Sequence, residues 1–334
     1  MKTTLPVAGD VRWSYAVNAW KPGFMGFARR EEHERAFKTT AASGFGAIEL
    51  KAGSGRWEPL GRPDNIAASY GSVAGFAAVL GSWGIAKVSS LFYDPGQMSF
   101  EDLHFGLDSL NPADEERILE AARPLARCVA ELGGSCLVVR PVGSFGKVGA
   151  LSAEQLARVG RCWGRVGAAI REYGVVVALH FDALSAARTA EDYEAVLAAL
   201  DPALGGLALD TAELTIAGHD VVALYRRLHA RVVHFHFKDA LDRDTLGEYR
   251  APNAERELVQ AGGSRRVARW FSEMGTPRGL VDFPALAASI REHGYRGWIV
   301  VESDGGPAPI AAGVMSNGWY AARVLAPLIT GQVP

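Results

Sequence analysis

Cysteine is scarce in this chain, and the three present (Cys128, Cys136 and Cys162) form no Cys-x-x-Cys pair. An odd number without metal-type spacing argues against a disulfide framework or a zinc–thiolate site. It favours small buried hydrophobes in a reducing compartment. A charge excess is lacking too: 35 Lys and Arg face 37 Asp and Glu, a formal net of −2. That excludes the basic footprint of a nucleic-acid or anionic-membrane binder. No run reaches the roughly 18 apolar residues of a spanning helix. Residues 1–10 hold one Lys and no apolar stretch of the kind a secretory signal needs. A cytoplasmic protein with no membrane or nucleic-acid partner is therefore expected. The Gly-x-Gly-x-x-Gly turn of a dinucleotide-binding unit is also missing after the first strand.

What the chain has is apolar content and alternation. Apolar residues make up 49% of 334, enough for a large core. Short β-branched runs are expected as strands at Val11–Trp20, Ala47–Lys51, Ile85–Phe92, Ser135–Val142, Val175–Phe181, Gly206–Asp210, Arg231–Phe237 and Trp298–Glu302. Helical patterns separate them at Glu31–Ser43, Asn65–Trp83, Ala113–Leu132, Ala153–Tyr173, Ala190–Leu200, Asp220–His229 and Asp282–His293, with a closing helix at Ser316–Ile329. Ser152 is a candidate N-cap, Gly133 and Gly174 are stops, and Pro124 should kink its helix. Near-strict alternation of strand and helix implies a parallel sheet with right-handed crossovers. Eight units make a closed (β/α)₈ barrel the first choice, one α/β domain over residues 1–334, ahead of an open doubly wound sheet. The stretch Leu241–Gly279 interrupts the rhythm after the seventh strand and is expected as a lid or a subunit contact.

In such barrels the reactive groups sit where the strands end at their C-terminal side. Those ends are polar here: Asn18 and Trp20, Glu49 and Lys51, Arg140, His180 and Asp182, Asp210, then His234, His236, Lys238 and Asp239, and finally Glu302 and Asp304. Any one of these taken alone is more often a cap or an ion-pair partner than a ligand. His180, Asp210, His236 and Glu302 on four consecutive strand ends form a set, expected to hold one divalent metal. Imidazole and carboxylate without thiolate suit Mn²⁺ best, with Co²⁺, Mg²⁺, Fe²⁺ or Zn²⁺ as other choices. His234 and His236 share a strand face, so only one of them need be a ligand. A metal chelating a hydroxyl and a neighbouring carbonyl acidifies the intervening C–H and stabilises an enediolate.

At these residues the chain resembles the xylose-isomerase-like barrels: sugar isomerases, epimerases and inosose dehydratases. Leu207-Ala-Leu-Asp-Thr211 resembles the sixth-strand signature, and Val232-Val-His-Phe-His-Phe-Lys-Asp239 resembles the His-x-Lys-Asp signature of the seventh. Gly279-Leu-Val-Asp-Phe-Pro284 with Gly294-Tyr-Arg-Gly-Trp-Ile-Val-Val-Glu302 is similar to the last helix and strand. Ala42-Ser-Gly-Phe-Gly-Ala-Ile-Glu49 is similar to the second βα unit. The resemblance places the ligand at His236 rather than His234. It also marks two departures. Epimerases of this group carry Glu where His180 stands, and their two metal-bound glutamates exchange protons on opposite faces of the substrate. A metal-bound imidazole is a poor base, so one-base elimination or isomerisation gains over two-base epimerisation. The family often has His where Glu213 stands, which makes Glu213 either a replacement acid/base or a stabiliser of its turn.

The implied activity is metal-dependent chemistry beside the carbonyl of a sugar, keto-sugar or cyclitol. Isomerisation, epimerisation, inosose dehydration and β-elimination from a 3-keto-glycoside are all candidates. Glu302 and Glu213 are the expected acid/base groups, and Lys238 would stabilise an oxyanion or position a hydroxyl. Asn18, Trp20, Glu49, Arg140 and Asp182 are the expected substrate contacts, with Trp20 and Trp57 able to stack on a sugar or to pack. An endonuclease-IV-like hydrolase and a non-catalytic barrel subunit are the competing classes, and a homo-oligomer is expected from the resemblance.

Overall fold

The computed structural model describes residues 11–17, 20, 30–52, 59–96, 106–254, 269–304 and 309–331. Eight parallel strands close into a barrel: β1 (Val11–Ala16), β2 (Ala47–Lys51), β3 (Lys87–Tyr93), β4 (Cys136–Val139), β5 (Val176–His180), β6 (Gly205–Asp210), β7 (Val232–Phe237) and β10 (Gly297–Val301). The order around the barrel is β1-β10-β7-β6-β5-β4-β3-β2. The alternation in the sequence thus becomes the (β/α)₈ architecture expected from it. Each crossover helix buries one stripe against the outside of the strands. The helix Ala153–Ile170 buries Leu156, Val159, Trp163, Val166 and Ile170. It starts on Ser152, whose hydroxyl accepts from the Gln155 amide while Gln155 reaches back to the Ser152 amide.

Several elements differ from expectation for local reasons. The single helix expected over Asn65–Trp83 is two, Pro63–Tyr70 and Val73–Ser82. Gly71 turns to φ +79 and ends the first, and Ser72 caps the second by accepting from the Gly75 amide. A short helix, Thr211–Ile216, follows β6 directly, in a stretch to which the sequence pattern assigns no element. The closing helix begins already at Ile310. All three cysteines are free and buried, as expected. Burial pushes the Cys128 thiol up to about 11 and those of Cys136 and Cys162 up to about 12.

Two register shifts decide what faces the barrel axis. Between β2 and β3, Ile48 pairs with Val88 but Glu49 pairs with Ser90, so β3 carries one extra residue, Ser89. Between β6 and β7, Leu207 pairs with Val232 but Ala208 pairs with His234, so Val233 is extra. A bulge of this kind re-aims the side chains that follow it. After the second bulge Asp210 stands level with His236. Small residues underlie this layer: Ala178 and Ala208 cluster with Cys136 and Val138.

Just before the interruption, Asp239–Ala240 (β8) pairs antiparallel with Phe271–Ser272 (β9), which lies within it. Its base is not a free flap. Ala240, Tyr249, Ala254, Trp270 and Phe271 pack with Ala183 and Leu184 after β5 and with Ala212 and Ile216 after β6. Residues 255–268 of this interruption lie outside the described residues.

Candidate metal centre

The ends of β5, β6, β7 and β10 converge on one cluster. His180 Nε2 lies 3.1 Å from Asp210 Oδ2. His236 Nδ1 lies 3.8 Å from the same Asp210 oxygen and 3.2 Å from Glu302 Oε2. All four side chains are buried. Asp210 is aimed by its own backbone context. It is the N-cap of Thr211–Ile216, its Oδ1 accepting from the Glu213 amide at 2.8 Å, which turns Oδ2 toward the histidines. Glu302 is held by its amide, which donates to the Phe237 carbonyl across β10 and β7.

The donor set suits a divalent ion. His236 Nδ1 is buried and, among the described residues, has no aligned hydrogen-bond partner, yet it faces two carboxylate oxygens. Donors about 2.1 Å from one ion stand roughly 3.0 Å apart at right angles and roughly 3.4 Å apart at tetrahedral angles. The separations of 3.1 and 3.2 Å fall in that range, and the third, 3.8 Å, is wider. The donor atoms of His180, Asp210 and His236 all lie within 4.8 Å of one another, and so do those of Glu49, His234 and His236.

Lys238 brings a fixed positive charge to the same place. Its Nζ lies 3.2 Å from Asp210 Oδ2, 3.1 Å from Glu302 Oε2, 3.3 Å from Glu213 Oε1 and 2.5 Å from Asp304 Oδ2. Its backbone is fixed by Thr211, whose hydroxyl donates to the Lys238 carbonyl at 2.6 Å. Burial opposes the ammonium charge, but Asp210, Asp304, Glu302 and Glu213 outweigh it and hold the amine well above its ordinary value. The Glu302 carboxyl sits well below the usual range, since Lys238 and His236 outweigh its burial. Asp210 is lowered likewise, against burial, by Lys238 and His180. Glu213 goes the other way. Burial, with Asp210, Asp182 and Asp304 near, pushes it up to about 8 in spite of Lys238. Its Oε2 accepts from the Ala183 amide at 3.0 Å, so it also ties the loop after β5 to this cluster.

A second polar group lies deeper, on the opposite edge of His236. Glu49 Oε1 is 3.0 Å from His236 Nε2, and Glu49 Oε2 is 3.3 Å from His234 Nε2. Ser90 Oγ donates to Glu49 Oε2 at 2.6 Å, and Ser89 and Ser14 continue the chain at 2.9 and 2.7 Å. Burial opposes the Glu49 charge, but the two histidines keep its carboxyl far below the ordinary range. His236 is pulled up to about 10 by Glu49 and Glu302 against its own burial. His234, fully buried, is lowered by that burial despite Glu49.

The remaining expected residues are spread around this centre. Arg140 ends β4 and is buried between Asp182, 2.8 Å from its Nε, and Asp94, 3.4 Å from its Nη1. Asp94, Pro141 and Lys147 line a cleft with Arg140 at this rim. Trp20 is 5% exposed and packs edge-on against Tyr15, which is the packing alternative. Asn18 and Trp57 lie outside the described residues. Ser14, Ser89, Ser90 and Asp94 escaped the reading of strand ends. The two serines inside the otherwise apolar residues 88–92 were the available signal.

A closed parallel barrel with imidazole and carboxylate donors on consecutive strand ends defines a class of (β/α)₈ proteins. The model of the xylose isomerase-like TIM barrel family matches residues 37–317, and the chain belongs to that family. Over 144 residues it is 28% identical to an inosose dehydratase of Lacticaseibacillus casei, a match covering 43% of this chain and 45% of that protein. The chain thus spans less than half the length of that curated relative. Among solved structures, a sugar phosphate isomerase/epimerase from Parabacteroides distasonis superposes with a TM-score of 0.64 at 16% identity, covering 98% of this chain and 100% of that one. The probable 3-DHS dehydratase AsbF from Bacillus anthracis gives 0.66 at 13% identity, covering 94% and 99%. Both likenesses concern the fold. No helix among the described residues is long and apolar enough to cross a membrane.

Proposed function

We propose that this protein is a divalent-metal-dependent enzyme acting beside the carbonyl of a keto-sugar or cyclitol, by one-base isomerisation or dehydration. The observation that carries the proposal is the cluster of His180, Asp210 and His236 donors within 4.8 Å of one another, with Glu302 Oε2 3.2 Å from His236 Nδ1 and Lys238 and Glu213 beside them. The partial match to an inosose dehydratase supports the substrate class.

His180, Asp210, His236 and Glu302 would hold the ion, with Mn²⁺ as the first choice. When bound, such an ion polarises a substrate carbonyl or hydroxyl and acidifies the adjoining C–H. The chain's own residues do the rest. Burial and the neighbouring carboxylates favour the protonated form of Glu213, which touches Lys238 Nζ and is the group to pass a proton to a departing or returning oxygen. Glu302 is held ionised and is the partner group for taking a proton. Lys238 keeps the carboxylates charged together and presents N–H donors to a substrate oxygen. His180, where epimerases carry Glu, leaves one metal-edge glutamate instead of two, which favours one-base chemistry. Arg140 and Asp182 offer a donor and an acceptor at the rim for hydroxyl groups.

NMR in D₂O with a panel of keto-sugars and inososes plus Mn²⁺ tests this. Exchange of the C–H beside the carbonyl without elimination marks an isomerase, and a new enone or dione signal marks a dehydratase. Neither signal with any candidate would reject the proposal.

A further inference from the structure

We infer that Glu49 is a positioning residue for His236: it accepts the Nε2 proton of that ring and so commits Nδ1 to the ion-binding cluster. The inference rests on the metal-centre reading above.

The two edges of the His236 ring face different groups. Nδ1 faces Asp210 Oδ2 and Glu302 Oε2, while Nε2 faces Glu49 at 3.0 Å. A neutral imidazole has one N–H and one lone pair. When an ion displaces the proton on Nδ1, the carboxylate beside Nε2 keeps the other proton there, and the lone pair is left on Nδ1. Carboxylate–histidine pairs of this kind fix ring orientation and tautomer at metal sites.

Glu49 is itself immobilised. It is 2% exposed and reaches from β2 across the barrel interior to β7. Ser90 Oγ donates to its Oε2 at 2.6 Å, and His234 Nε2 lies 3.3 Å from that oxygen. The bulge in β3 is what turns Ser90 inward, and Ser89 Oγ binds the Ile48 carbonyl at 3.2 Å beside it. His234 therefore supports Glu49 rather than entering the cluster.

Glu49, His234 and His236 also meet the distance test for a second ion. That assignment is weaker. The imidazole of His236 cannot give its single lone pair to ions on both edges, and Glu49 and His234 are 2% and 0% exposed where His180 and Glu302 are 5% and 4% exposed.

The test uses the full-length protein, with Zn²⁺ and Mn²⁺ alone as probes against a chelating dye. It is paired with long-range ¹H–¹⁵N spectra of the histidine rings in the Zn²⁺-loaded protein. Glu49→Gln is expected to weaken the ion about 10–100-fold. The His236 Nε2–H signature should give way to a mixed state, with the melting temperature close to that of the parent. Ser90→Ala, which loosens Glu49 without removing it, should shift both readouts in the same direction by less. Unchanged affinity and an unchanged Nε2–H signature in Glu49→Gln would overturn the inference. So would weaker binding with the tautomer intact, which would make Glu49 a ligand or a purely structural group. Asp210→Ala separates the two levels. If it loses the ion while Glu49→Gln keeps it, only the positioning role fails. If Asp210→Ala keeps the ion, the metal-centre reading fails and this inference with it.

Discussion

His236 has carboxylates on both edges, but the two sides are built differently. On the Nε2 side, Glu49 is met by His234, His236 and Ser90 at hydrogen-bond distances, and the serine chain runs back to Ser14 on β1. On the Nδ1 side, Asp210, Glu213, Glu302 and Asp304 crowd around the single ammonium of Lys238. One side is a neutralised scaffold. The other gathers four carboxyl groups around one ammonium, and an added divalent cation there is what the proposal requires. The difference shows how a barrel interior can fix a ring rigidly on one edge and leave the other edge for chemistry.

The largest expected effect comes from breaking the charge balance on the Nδ1 side. Lys238→Met leaves four carboxyl groups without their ammonium and should destabilise the metal-free protein by about 3–5 kcal/mol. Mn²⁺ should restore much of that loss, read as a rise in melting temperature with ion concentration. A loss that no divalent ion repairs would mean that this side is scaffold as well.

A smaller effect tests the reactive group on that side. Glu213→Gln removes a transferable proton and should lower kcat about 100-fold on the substrate found by the exchange screen. Ion affinity should stay within about threefold, since the glutamine still reaches the Ala183 amide. A loss of affinity with kcat intact would make Glu213 part of the ion-holding set. The smallest effect lies at the far end of the scaffold side. Ser14→Ala removes a buried hydroxyl pair with Ser89 and should cost about 1 kcal/mol by urea denaturation, with ion affinity unmoved.

The sequence made one side of His236 far more legible than the other. The proposed ligands His180, Asp210, His236 and Glu302 were readable because strand ends are local: a β-branched run followed by a polar residue marks such positions, and the family resemblance chose His236 over His234. Closure of the barrel then brings four such ends together. The scaffold side depends on relations that a linear pattern does not carry. Glu49 meets His236 across the barrel interior, from strands that are not neighbours. Ser90 faces inward because β3 carries an extra residue opposite Ile48–Glu49, and that bulge has no glycine to announce it. The same holds after Val233, where a bulge sets Asp210 level with His236. Among the helices, the division at Gly71–Ser72 was locally written, as a glycine followed by a capping serine, but apolar periodicity on both sides masks it. The helix Thr211–Ile216 is short enough that periodicity is silent, and its cap, Asp210, is also one of the proposed ligands.

The central claim is that one divalent ion belongs on the Nδ1 edge of His236 and none on the Nε2 edge. Crystals soaked in Mn²⁺, with anomalous difference density collected at the manganese edge, test it directly. The account predicts a single peak among His180 Nε2, Asp210 Oδ2, His236 Nδ1 and Glu302 Oε2. A peak between Glu49, His234 and His236, or no peak at either edge, would contradict it.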